Sequence, residues 1–161
     1  MTTKENISEL VLNEITTLLY SIIINQEFIN QNINYLCSEN TTIHSLKNYL
    51  RRILRYCNPE SSTLLISLIY IKRFCKIGRI NLSIQNVHKI FLISIVLAIK
   101  YNEDKHYKND FYAKVGGIDL LDLNNLESDF LKTLNFKISI HSKEFQYCSK
   151  SFKLLIISKQ N

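Results

Sequence analysis

Residues 90–100 read Ile-Phe-Leu-Ile-Ser-Ile-Val-Leu-Ala-Ile-Lys. The ten residues from Ile90 to Ile99 are the most apolar stretch of the chain, interrupted only by Ser94 and flanked by Lys89 and Lys100. They are too few to cross a bilayer, which takes about 20 apolar residues. With Val87, Ile90, Phe91, Ile95, Leu97 and Ala98 distributed around a 3.6-residue period, almost no polar face remains, so the segment reads as a helix enclosed by other helices. Ser83 is its candidate N-cap.

Working outward, the preceding segment carries Leu64, Leu65, Leu68, Ile69, Ile71 and Phe74, again apolar nearly all round. Ser61 or Ser62 is positioned to cap it, and Gly78 to end it in a left-handed backbone. Both helices are expected in the middle of a bundle. Before them, Leu46, Tyr49, Leu50, Ile53, Leu54 and Cys57 form one clean stripe that stops at Asn58-Pro59, because a residue before proline avoids helical geometry. From Ile7, apolar residues at 10, 11, 15, 18, 19, 22 and 23 mark a further helix, continuing less cleanly to Leu36, with a break at 38–42. Downstream, a polar and aromatic stretch from Tyr101 ends at Gly116-Gly117. Asp119 and Asp122 then resemble a capping box for a helix with the stripe Leu123, Leu126, Phe130, Leu131, Leu134. A last helical pattern covers 145–157. No stretch alternates with period two, so the fold class is all-α.

The composition agrees. With 161 residues the chain is one domain by size, and three glycines and one proline favour long helices. No repeat of solenoid period is found. The balance of 20 basic and 14 acidic residues gives +6 without a basic block, which permits an acidic partner but does not require one. Cysteines 37, 57, 75 and 148 form no C-x-x-C pair and read as buried, reduced thiols. The opening MTTKENISEL lacks the basic and apolar blocks of a secretory signal, so an intracellular location is expected.

No phosphate-binding glycine loop, nucleophile elbow or H-E-x-x-H is present, so no catalytic residue, metal or cofactor is expected. His44, His88, His106 and His141 lie on separate segments without ligands at metal spacing. Two charges break apolar patterns. Lys100 closes the apolar run, and Glu127 stands four residues after Leu123, where the period calls for an apolar side chain. Asp129 points outward by the same count. Burying Lys100 or Glu127 alone would be costly, so each needs a partner, and they are natural partners for one another. A plain internal salt bridge and a pair at the rim of the core that reaches another protein are both compatible with the spacing.

Several strings in one order resemble a known family: Tyr70-Ile71-Lys72-Arg73-Phe74, Asn86-Val87-His88-Lys89, Leu97-Ala98-Ile99-Lys100-Tyr101, residues 109–118 (NDFYAKVGGI), and Leu126-Glu127-x-Asp129-Phe130-Leu131-x-x-Leu134-x-Phe136. Over about residues 43–150 the chain is similar to a cyclin box, and more narrowly to the P-type (also called U-type) cyclins, the single-box group related to the phosphate-signalling cyclins of fungi. The resemblance implies a five-helix box at 43–141, with core helices starting near 43, 61, 83, 109 and 119. It also implies an N-terminal helical extension at 1–42 and a C-terminal helix and tail at 142–161. By similarity, Lys100 and Glu127 occupy the positions that cyclins use to hold a cyclin-dependent kinase. Arg51, Arg52 and Tyr101 are further interface or structural candidates.

The resemblance implies a non-catalytic regulatory subunit of a protein kinase, in cytoplasm or nucleus, with no membrane, small-molecule substrate or nucleic acid as partner. One departure stands out. Cyclin boxes often pair an arginine of the first helix with an aspartate of the second; here the first helix reads Leu50-Arg51-Arg52-Ile53-Leu54 and the aspartate position is Lys72. Two other functions fit a cyclin fold. One is a nucleic-acid-binding module using the basic faces Lys47, Arg51, Arg55 and Lys72, Arg73, Lys76, Arg79, which lack interleaved aromatics. The other is a non-activating adaptor.

Overall fold

The computed structural model describes the backbone of residues 3–30 and 39–158 and the side chains of residues 9–25 and 43–153. The described residues form seven helices and no strand: α1 (Thr3–Asn30), α2 (Glu39–Cys57), α3 (Ser61–Gly78), α4 (Val87–Asn102), α5 (Asn109–Gly116), α6 (Leu120–Thr133) and α7 (Ser142–Ser158). Every residue from Ile90 to Ile99 is buried, so α4 is the axis of the bundle. It packs on α2, α3, α5 and α6, most extensively on α3, and these five form the box. The flanking helices pack outside it: α1 lies on α2 and α7, and α7 on α1 and α3. Leu36, Cys37 and Ser38 lie outside the described residues.

The expected all-round burial holds for α4 but not for α3. Ile66, Ile69, Tyr70 and Ile71 are buried against the core, whereas Leu64, Leu65 and Leu68 are only half-buried and Lys72 and Lys76 are exposed. One flank of α3 opens into a groove between α1 and α7. The inner flank is held by ring and polar contacts. Phe74 stacks on Phe130 of α6 with ring centroids 4.2 Å apart, and the Tyr70 hydroxyl donates to the Ile138 carbonyl at 2.8 Å. Arg73 clasps the far end of the chain, pairing through two nitrogens with Glu144 of α7 and donating to the Lys137 and Ser139 carbonyls at 3.1 and 3.0 Å.

Helix ends differ from the sequence expectation because long-range partners replace local caps. Ser61 and Ser62 cap nothing; the Glu60 amide donates instead to the Glu103 carboxylate at 3.0 Å. Ser83 precedes a turn and donates its own backbone amide to the Asn86 side-chain oxygen at 2.8 Å, and α4 starts only at Val87. Asp119 occupies the cap position of α6 but makes no side-chain cap bond. The left-handed residue ending α3 is Arg79 (φ 51°, ψ 39°), not Gly78. Gly78 answers a different need: a Cβ there would stand 2.9 Å from Ile80 Cδ1 and 3.1 Å from Thr133 Cγ2, so both side chains would have to shift to admit it. Gly117 does use its freedom, ending α5 at φ 70°. The expected break before Pro59 is present, with α2 ending at Cys57 and Asn58 turned to φ 44°.

The α4–α5 contact depends on Gly116. A Cβ at that position would stand 2.3 Å from Cδ2 of Leu92, which is fully buried and has no room to withdraw. Gly116→Ala is therefore expected to destabilise the protein by about 1–3 kcal/mol through overpacking. That is a fall of several degrees in melting temperature by circular dichroism. An unchanged melt would show that the two helices are not held this closely.

Candidate functional site

α4 emerges from the core at its last turn, and the first side chain to do so is Lys100. A cation in the last turn of a helix also meets the negative end of its dipole. Glu127 arrives from the middle of α6, on the stripe that faces α4. The two meet as a salt bridge, Lys100 Nζ donating to Glu127 Oε1 at 2.6 Å. The side chains retain 26% and 18% of their accessible surface, so the pair sits at the rim rather than inside the core. The salt bridge common to both arrangements compatible with the spacing is therefore present, and it is partly open to solvent.

A third residue completes the site. Asn109, the first residue of α5, donates its amide to Glu127 Oε2 and to Asn124 Oδ1, each at 2.7 Å. Both oxygens of Glu127 are thus engaged and its orientation is fixed by groups from α4 and α5. Asn109 was not among the residues singled out in the sequence, because an asparagine opening a helix reads as a turn or cap residue. Its own Oδ1 is buried without a partner. Along α6, Leu120, Asn124 and Glu127 follow the seven-residue spacing of one helix face, and Leu120 is 46% exposed. Tyr101, next to Lys100, is 53% exposed, so large apolar side chains from α4 and α6 stand in solvent beside the pair.

Arg51 and Arg52 lie elsewhere, and both are exposed. Arg51 donates to Glu9 of α1 at 2.9 Å and to Asn48 at 2.8 Å, while Lys47 reaches the same Glu9 at 3.0 Å. The hydrogen bonds from Arg51 and then Lys47 hold the Glu9 carboxyl below its ordinary range. The second-helix aspartate that cyclins often pair with such an arginine is here Lys72, which faces water. Arg51 ties α2 to α1 instead. Arg52 lies over the Tyr49 ring, 5.1 Å from its centroid, and donates to the Gly116 carbonyl at 3.4 Å. Among the thiols, Cys57 is buried, and burial pushes it up to about 12; Cys75 and Cys148 are only half-buried.

A family model described as Cyclin matches residues 10–138. The chain belongs to the cyclin family. Cyclin-U2-1 of Arabidopsis thaliana is 41% identical over 106 residues, covering 65% of this chain and 48% of that protein. Cyclin-P3-1 of Oryza sativa subsp. japonica is 33% identical over 119 residues, 71% of this chain and 50% of that protein. Cyclin-P4-1 of the same rice is 36% identical over 108 residues, with 65% and 50% covered. This is a cyclin of the P/U type, and it spans about half the length of the curated relatives it matches. No helix among the described residues is long and apolar enough to cross a membrane.

His88 of this cyclin packs edge-on against Tyr49, ring centroids 4.7 Å apart, with Arg52 on the same side. Partial burial, aided by the nearby guanidinium and opposed by a backbone hydrogen bond, lowers its pKa from the usual 6.5. A lowered folded-state value means that the unfolded chain takes up the proton first as pH falls, so this contribution is complete above about pH 6.5 and is lost below it. The melting temperature should therefore fall from pH 7.5 to 5.5, and His88→Gln should flatten that slope. An equal slope in the variant would remove His88 as the cause.

Proposed function

We propose that this cyclin is the regulatory subunit of a cyclin-dependent serine/threonine kinase and that Lys100 and Glu127 are its anchors for the kinase. The supporting observation is the state of the pair. The Lys100 ammonium has three N–H groups and donates one to Glu127, leaving two for a partner. The carboxylate oxygens retain lone pairs beyond the bonds from Lys100 and Asn109. A rim site that offers donors and acceptors within one fixed frame suits the main-chain groups of an extended loop. In cyclins the corresponding lysine and glutamate hold the loop before the kinase's C helix. Exposed Tyr101 and Leu120 would supply the apolar area that such a contact needs around its polar centre.

The action follows from holding that loop. With the C helix kept inward, its glutamate pairs with the lysine of the ATP site, and the activation segment can order. The cyclin supplies position and the kinase supplies the chemistry. Internal commitments of the basic residues also favour a protein partner over nucleic acid. Lys47 and Arg51 are occupied by Glu9, and Arg73 by Glu144 and two carbonyls, so three of the seven cations on the two basic faces are not free for phosphates.

Lys100→Ala is expected to weaken binding to a purified cyclin-dependent kinase by roughly thirtyfold, about 2 kcal/mol, in calorimetry. Glu127→Gln keeps the shape and loses the charge, and should weaken it in the same direction. Both variants should keep the helical circular dichroism of the wild type. Unchanged affinity in the folded Lys100→Ala variant would refute the anchor assignment.

A further inference from the structure

We infer that the groove between α1, α3 and α7 binds one long-chain fatty-acid anion, with the acyl tail on its apolar floor and the carboxylate at its basic end. The inference is independent of the kinase reading, since the groove involves neither Lys100 nor Glu127. The groove encloses about 750 Å³, within the range of about 300–1,000 Å³ of small-molecule sites. Its floor follows α3 from Leu65 to Arg79, a length of about 20 Å at the helical rise, enough for an extended acyl chain. Leu18 and Ile22 of α1 line one side and Phe152 of α7 the other.

Charge decides the class of ligand. From Lys72 onward the border gains Lys72 and Lys76, four residues apart on one face of α3, and Arg79 from the turn that ends it. All three are exposed and none pairs with an acid among the described residues. No acidic side chain lines the groove among the described residues. The cations border the half of the trough from Lys72 onward, and the half from Leu65 to Ile71 carries none, which matches a ligand with one anionic head and one apolar tail. An acidic amphipathic helix would instead carry its charges along its whole length, beside both the apolar and the basic half. A membrane surface would meet the exposed cations without entering the trough.

The chain contains no tryptophan, so a fluorescent fatty acid can be read without background. Delipidated protein titrated with cis-parinaric acid should show saturable one-to-one binding at micromolar concentration. Oleate should displace the probe, and oleyl alcohol, which lacks the charge, should do so about tenfold less well. The Lys72→Glu, Lys76→Glu, Arg79→Glu triple variant should lose about tenfold in affinity for the same reason. Ser151→Trp, on an exposed wall position, should block the tail while leaving the circular dichroism unchanged. Absence of saturable binding, or binding indifferent to both variants, would overturn the inference. So would binding only to phosphatidylglycerol vesicles that survives Ser151→Trp, because that is the behaviour of a membrane surface.

Discussion

The burial of α4 is the constraint on which the rest of this cyclin depends. Ten successive residues with a single hydroxyl among them cannot face water on any side, so other helices must close around them. α2, α3, α5 and α6 do so, and their own apolar stripes are the complements of that cylinder. The closeness of the contact is visible at Gly116, where even a methyl group would collide with Leu92. The flanking helices are secondary in this sense: α1 and α7 pack on members of the box, and each leaves a polar or open face.

The same constraint creates the candidate site. A helix enclosed along its length presents chemistry only where it leaves the core, and α4 leaves it at Lys100. Glu127 replaces an apolar residue on α6 at the place where that helix passes the exit, and the two charges satisfy one another. Asn109 then fixes the carboxylate from the start of α5. Three helices that pack for hydrophobic reasons thereby converge on one polar frame at the surface. Its rigidity comes from the core behind it, so a partner meets groups already in position.

Much of this was legible in the sequence. Helices α2, α3, α4 and α6, their order and the pairing of Lys100 with Glu127 follow from apolar periodicity and from two charges that violate it, whereas α5 lies in a polar, aromatic stretch with no apolar stripe and was marked only by the family resemblance. Helix termini were less legible because their partners come from far along the chain. The Glu60 amide is met by Glu103, and the left-handed turn after α3 falls on Arg79 while the glycine beside it provides space. Arg73 reads as one cation on a helix face, yet its partners lie 64 to 71 residues away. Asn109 escaped notice for a similar reason, since nothing local distinguishes an asparagine that holds a distant carboxylate from one that faces solvent. The half-open flank of α3 was hidden too: Leu65 and Leu68 look like core by composition, and only the spacing of α1 from α7 leaves them uncovered.

Amide hydrogen exchange of the cyclin, alone and mixed with a purified cyclin-dependent kinase, tests the central claim most directly. A kinase held at the polar frame should slow exchange around residues 100–102, 109–111 and 120–127, the end of α4 and the starts of α5 and α6. The α1–α3–α7 groove, which contains neither Lys100 nor Glu127, should be unaffected. Protection confined to that groove, with the Lys100 and Glu127 segments unchanged, would contradict the account.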